Sequence, residues 1–525
     1  MHSLTRRRSR LLALVASAAV GVLTLAGCSG GGTDASETDD ELSVVVEVAP
    51  VSLDPALQNV DPRNKWFIEL AYEPLIRLTT EDEYAPALAE SWEYLDEEST
   101  QFELTLREDA QFNDGTDVTA EDVVASLEYM ISSGVNGSAW LGADTTVEAT
   151  SDTTVLITTA EPNSQMPYLL SQRTYLGSVI SADGLSDPEA LKSASYGAGP
   201  YMLDTDATIP DDTYVYVQNP NYYDPDAQHW DTIEIKVSGS FAASLQAVQN
   251  GDADMMRADV TTASSAEDAG LTVSAVSLGL WGVGYLDREG EITPEFADVR
   301  VRQALSYAID RESIAEVMWG DYGASGNGIT LPGFVGFTEE AQDSYSYDPE
   351  KAKELLAEAG YADGFSFDMA TPNTSNAETF AQAIVENWAA IGVTANLTVY
   401  SDTTQLISDT LDKQYAVGVY SYGVQPQILQ AKSFFTGGTT QYNPFDSYDE
   451  EIFEQLAIGD ASSDPDVQQE AYAAALDRAV IDLAWFSNVG YSPSPVVYDA
   501  DAVTGMEYGS LVGSSDLATM VRPAD

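Results

Sequence analysis

The stretch 104–124 reads LTLREDAQFNDGTDVTAEDVV. Gly115, in Asn113-Asp114-Gly115-Thr116, suits a left-handed turn, which a residue without a Cβ adopts at little steric cost. Thr119 stands as an N-cap with Asp122 three residues on, a reciprocal pair that satisfies free amides at a helix start. Helical spacing follows at Val123, Leu127 and Met130, so a turn feeds a capped helix over 118–130. The same stretch excludes one chemistry. Asp109–Gly115 begins like a calcium loop, but Asp114 occupies the place where such a loop needs glycine.

Working outward, Leu42–Val48, Thr153–Thr159, Tyr214–Gln218 and Ile233–Val237 predict strands. Ser240 to Gly251 predicts a short helix with Gly251 as its left-handed cap. Val299–Trp319 predicts two helices parted at Asp310, with Arg300 and Arg302 pairing with acids at helix ends. A helix from Asp348 to Ala359 closes at Gly360. Another over Thr379–Ile391 closes at Gly392 and leads into a strand, Val393–Tyr400. A helix through the 470s to Ala484 precedes a last strand, Val496–Tyr498. This alternation predicts an α/β protein built on parallel sheet with helices on its faces. No Pro/Gly/Ser linker interrupts the chain after Asp40, so its domains are woven together by several crossings.

The chain has 525 residues, 44% of them hydrophobic, which suffices for large cores and excludes wholesale disorder. With 22 Lys and Arg against 85 Asp and Glu, the net charge of −63 argues against nucleic acid and anionic lipid as partners. The 28 Tyr, 15 Phe and 8 Trp supply flat, amphipathic surfaces for organic ligands. One cysteine, Cys28, precludes a disulfide within the chain. Two histidines, His2 and His229, leave little scope for zinc sites or imidazole-based catalysis. Gly197-Ala198-Gly199-Pro200 lacks the Lys-Ser/Thr of a phosphate loop, and Pro200 removes an amide, so it reads as a structural turn. Asp204–Ile209 fails as a calcium loop because Ile209 replaces its glycine. No catalytic constellation emerges, and no metal or cofactor is expected.

Arg6, Arg7, Arg8 and Arg10 precede an apolar run, Leu11–Ala26, whose 16 residues fall short of the ~20 that span a bilayer. This is the pattern of an export signal over residues 1–27. Leu25-Ala26-Gly27-Cys28 resembles the lipobox of bacterial lipoproteins, in which the cysteine is acylated and becomes the first residue. Residues 28–41 then form a flexible, lipid-anchored tether. Removing four arginines and no acid leaves 18 cations against 85 acids, a net −67. The protein is expected on the outer face of the cell membrane, held by lipid without crossing it.

Several segments resemble, in order, the family 5 solute-binding proteins of ABC importers. They are Ser52-Leu53-Asp54-Pro55-Ala56, Tyr72-Glu73-Pro74-Leu75 and Pro86–Trp92, then the Leu104–Val124 stretch, Gly199-Pro200-Tyr201 and Asn219–Tyr223. Val299–Leu305 with Ala308–Arg311, and Asp348–Gly360, complete the series. The resemblance implies a two-lobed, periplasmic-binding-protein-like α/β fold of the class with an extra domain, hinged between its lobes. Lobe 1 would gather 42–72, 192–280 and 492–525, the extra domain 73–191, and lobe 2 281–491. Closure would trap an oligomeric solute, a peptide by family, and a monomer would present it to permease subunits with their ATPases.

Peptide-binding members carry an aspartate, in a segment resembling GW…D…P, that pairs with the peptide ammonium. The comparable stretch here, Val417–Gln427, has no acid; none occurs between Asp412 and Asp446. Tyr420, Tyr422, Gly423, Gln425 and Gln427, with Trp281 at the head of lobe 2, are the candidate ligand-binding residues. They suit a neutral oligosaccharide as an alternative cargo. A cell-surface hydrolase or adhesin is the alternative of another class.

Overall fold

Thr119 and Asp122 cap one another. The Thr119 amide donates to the Asp122 carboxylate at 2.9 Å, the Asp122 amide donates to Thr119 Oγ1 at 3.4 Å, and the helix runs Ala120–Ser133. Gly115 adopts φ 85°. Its turn is pinned from two sides: Asn221 Nδ2 donates to the Asn113 carbonyl at 3.1 Å, and Asn113 Nδ2 donates to the Ser195 carbonyl at 2.8 Å. Segments far apart in sequence are thus locked through polar side chains. These contacts belong to a computed structural model that describes residues 40–58, 64–133, 137–374, 376–423, 425, 427–438, 440–509, 513–514 and 516–523. The export signal, Cys28 and the tether up to Asp39 lie outside the described residues.

Four strands form an antiparallel sheet in the order Ala89–Tyr94, Gln101–Leu106, Thr154–Thr158, Thr146–Ala149. The larger sheet has eleven strands and is mixed, which corrects the expectation of parallel sheet. Glu41–Val46 lies parallel to both Thr232–Val237 and Met255–Arg257, and Ser366–Pro372 lies parallel to both Thr394–Tyr400 and Val417–Gly423. Two long strands, Thr272–Tyr285 and Phe486–Tyr498, join these parallel groups. They pair antiparallel from Thr272 opposite Tyr498 to Gly284 opposite Phe486. Antiparallel neighbours need no crossover helix, so two strands suffice to bridge the groups.

The sequence pattern predicts only the last three residues of this pair, because Gly279, Gly282, Gly284, Pro493 and Pro495 interrupt it. Those interruptions have a geometric use. The register shifts between Trp281 and Gly282, and a Cβ at Gly282 would stand 2.5 Å from the Ser487 carbonyl oxygen. Only glycine permits the strands to approach that closely.

The helices at Phe241–Asn250, Val299–Tyr307, Arg311–Trp319, Pro349–Glu358 and Ala377–Ala389 match the expected ones. Asp310 caps the second of the Val299–Trp319 pair, accepting from the Ser313 amide at 3.1 Å. The helix of the 470s ends at Asp477, and residues Arg478–Asp482 form a wider turn. Arg300 pairs with Asp298 as expected. Arg302 does not pair with an acid: it is buried and donates to the carbonyls of Leu483 and Phe296.

One continuous core draws side chains from Leu42 through Met255, including the four-stranded sheet, and from Val496, Val503, Leu517 and Met520. A second draws on Trp281 through Val489, and a third on Leu280 and Ile329 through Tyr491. Among the described residues no helix is long and apolar enough to cross a membrane.

Candidate functional site

After the short helix Met166–Leu169 the chain folds into a turn held by its own hydroxyls. Ser171 Oγ donates to the Tyr168 carbonyl at 2.7 Å and accepts from the Arg173 amide at 3.2 Å, while Thr174 Oγ1 donates to the Leu169 carbonyl. Gln172 fixes the turn to the strand Ile76–Leu78, accepting from the Leu78 amide at 3.0 Å and donating to its carbonyl at 2.7 Å. The turn thereby presents Arg173 and Thr174 to a pocket that Trp140 and Tyr168 also line.

The opposite wall comes from the end of the strand Val417–Gly423 and the start of the helix Gln427–Phe435: Gly423, Gln425 and Leu429. Gly423 is exposed, with no atom within 4 Å of where a Cβ would stand. Tyr422 Oη lies 3.0 Å from Ser433 Oγ and 3.4 Å from Gln425 Oε1, which orients the glutamine. Burial pushes the hydroxyls of Tyr168 and Tyr422 above the usual tyrosine range, so both stay neutral. The residues lining this pocket include one charge, Arg173, and no acid.

The other expected ligand residues stand behind this wall. Tyr420 is 3% exposed, packed against Phe434, Tyr442 and Phe486, with its hydroxyl donating to Asn488 Oδ1 at 3.3 Å. Trp281 is 5% exposed and packs edge-on against Trp319 and Phe380. Gln427 begins its helix, and its side chain lies outside the described part. Trp140, Tyr168, Arg173 and Thr174 were not evident from motif or periodicity. One signal pointed there: from Pro162 to Ala182 no acid occurs, and Arg173 is the single charge, in a chain with 85 acids.

Ser99 and Ser164 also meet the end of the helix Glu450–Ala461. Ser164 donates its amide to the Asp460 carbonyl and its hydroxyl to the Gly459 carbonyl, both at 3.2 Å, and Ser99 Oγ donates to the Ala461 carbonyl at 3.2 Å. These carbonyls end the helix Glu450–Ala461, where intrahelical donors run out; that of Gly459 also accepts from the Ser462 amide at 3.4 Å.

Residues 83–443 match the family described as bacterial extracellular solute-binding proteins, family 5 middle region. Heme-binding protein A of Haemophilus influenzae is 28% identical over 383 residues, which cover 67% of this chain and 69% of that protein. The dipeptide-binding protein of Escherichia coli is 27% identical over 348 residues, covering 61% of this chain and 64% of that protein, somewhat under two thirds of its length. The structure of HbpA2 from Haemophilus parasuis superposes with a TM-score of 0.79 at 22% identity, covering 90% of this chain and 99% of that one.

Proposed function

The chain belongs to the bacterial extracellular solute-binding proteins of family 5, and on that premise we propose that it captures a peptide between two lobes and hands it to a membrane permease driven by ATPases. The family membership makes it an ABC-importer substrate-binding protein of two-lobed, periplasmic-binding-protein-like fold, not an enzyme. The hydrolase and adhesin alternatives therefore fall away. The neutral oligosaccharide is not favoured either, since the dipeptide-binding protein among the relatives supports a peptide.

One observation carries the reading of cargo capture: a pocket walled by Tyr168–Thr174 on one side and Gly423–Leu429 on the other, with serine-to-carbonyl contacts beside it. In this reading Gly423 and Gln425 face the cargo, Tyr422 orients Gln425, and Tyr420 and Trp281 support the wall from behind. Gln427 sits at the helix start beside them. Lobe 1 comprises 42–72, 192–280 and 492–525, the extra domain 73–191 and lobe 2 281–491. Thr272–Tyr285 and Phe486–Tyr498 act as the hinge. Opening would break the three serine contacts, and cargo would favour the shut form by binding across both walls.

A bound peptide should raise the melting temperature by mass action and compact the molecule in small-angle scattering. Tight binding with neither change contradicts the trap. The anchor is tested separately. Cys28→Ser should leave export intact and move the protein from membrane to medium, since each buried acyl CH₂ contributes ~0.8 kcal/mol. A variant still in the membrane fraction refutes the lipoprotein reading.

A further inference from the structure

Among the described residues, most arginines of this acid-rich chain are well provided for. Arg77, Arg107, Arg300, Arg478 and Arg522 each sit on a carboxylate. The buried Arg288, Arg302 and Arg311 are saturated by backbone carbonyls and asparagine oxygens. Arg173 follows neither pattern. Its guanidinium lies against the neutral hydroxyl of Tyr168, and its Nε is buried with no hydrogen-bond partner. It faces the pocket whose opposite wall holds Gln425.

The Tyr168 hydroxyl accepts from this guanidinium, but the buried Nε has no acceptor, which is unfavourable, and folding elsewhere supplies carboxylates or carbonyls when an arginine's purpose is structural. With 85 acids available, none lines this pocket. The planar fork of an arginine matches the two oxygens of a carboxylate, the pairing that gives both strength and orientation. We propose that Arg173 is the receptor for a carboxylate of the cargo, seated between the two walls with Thr174 and Gln425 as flanking hydrogen-bond partners. The proposal rests on the peptide reading and deepens it, because it selects peptides by their acid end. Binding the carboxylate would supply the acceptor that Nε lacks and draw the opposite wall onto the ligand.

The test uses the soluble chain from residue 29 and three random libraries of tri- to pentapeptides. The first has free C-termini and no Asp or Glu, the second is the same library amidated, and the third is amidated but contains Asp and Glu. Binding is read by calorimetry and by mass spectrometry of the retained peptides. The expected result is retention of the first library and at least tenfold weaker binding of the second. Retention of the third alone would place the carboxylate on a side chain and supports the proposal equally. Equal binding of the first and second overturns it while leaving the peptide reading intact. No binding of any library overturns both.

Arg173→Gln separates recognition from structure. It should weaken the preferred library at least tenfold and erase discrimination against amidation, with the unliganded melting temperature unchanged. Arg173→Lys should restore part of the discrimination, because it keeps the charge without the fork. If Arg173→Gln still discriminates against amidation, the proposal is wrong. It is equally wrong if both variants lose unliganded stability and bind the libraries as the parent does.

Discussion

Two arginines of this molecule, Arg77 and Arg173, share a chemistry and differ in what surrounds them. Arg77 Nη2 donates to both oxygens of the fully buried Glu73 at 2.8 and 2.7 Å, and its Nη1 donates to Asp516 at 2.6 Å. Glu73 also accepts from Tyr222 at 3.2 Å and Tyr223 at 2.8 Å, so three stretches of chain meet on one network. Arg173 stands on a self-bonded turn beside a neutral tyrosine, with a nitrogen unused. A saturated guanidinium ties the fold together. An unsaturated one, facing a cavity, leaves its capacity for something that arrives later.

Breaking the Arg77 network should have the largest effect. Arg77→Gln strands Glu73 and Asp516 as buried, poorly compensated acids, a loss of about 3–5 kcal/mol. Chemical unfolding without peptide measures it, and a loss below about 1 kcal/mol would mean that the network is effectively solvated.

Acid should act on the same side of the comparison with a smaller effect. Burial opposes the charge on Asp516, but the hydrogen bond with Glu69 and the cations Lys65 and Arg77 outweigh it and hold that carboxylate below its ordinary 3.8. A depressed carboxylate stabilises the fold above its unfolded value, and that contribution disappears as pH falls through the native one. The hydrogen bonds from Arg300 and Arg478 lower Asp298 and Asp449 in the same sense. The melting temperature should therefore drop below about pH 3.8, while Arg77→Gln, having lost part of this linkage already, should drop less steeply.

The smallest effect belongs to Glu69. Burial, then the neighbouring Asp516 charge, raises it well above 4.5. A raised carboxyl has the opposite sign: its contribution is complete below 4.5 and fades as pH rises through the native value. Glu69→Gln keeps a donor toward Asp516 and removes that fading, so it should melt above the parent at neutral pH. A variant less stable than the parent at neutral pH would show that Glu69 carries its charge there.

The scaffold side of this comparison was far more legible in sequence than the site. The Thr119–Asp122 cap, the Gly115 turn and the helix closing at Gly251 announce themselves because local chemistry decides them. The family segments around Glu73 and Tyr222–Tyr223 were legible as a series, although nothing in the chain says that they bond to one another. The long strands Thr272–Tyr285 and Phe486–Tyr498 were hidden, since glycines and prolines break the alternation exactly where the strands bulge and bend. Gly423 and Gln425 were singled out as candidates through the resemblance, whereas the residues opposite them were not, because Tyr168 and Arg173 reach the pocket only through tertiary folding. The acid-free run around Arg173 was the one trace of that arrangement on the chain itself.

The most direct test sets the two arginines side by side in one melting experiment on the parent, Arg77→Gln and Arg173→Gln, with and without the free-C-terminus peptide library. Arg77→Gln should melt earlier without peptide and keep the parent's increment on adding it. Arg173→Gln should melt with the parent without peptide and lose most of the increment. The account is contradicted if Arg173→Gln loses unliganded stability as Arg77→Gln does and retains the full increment with peptide.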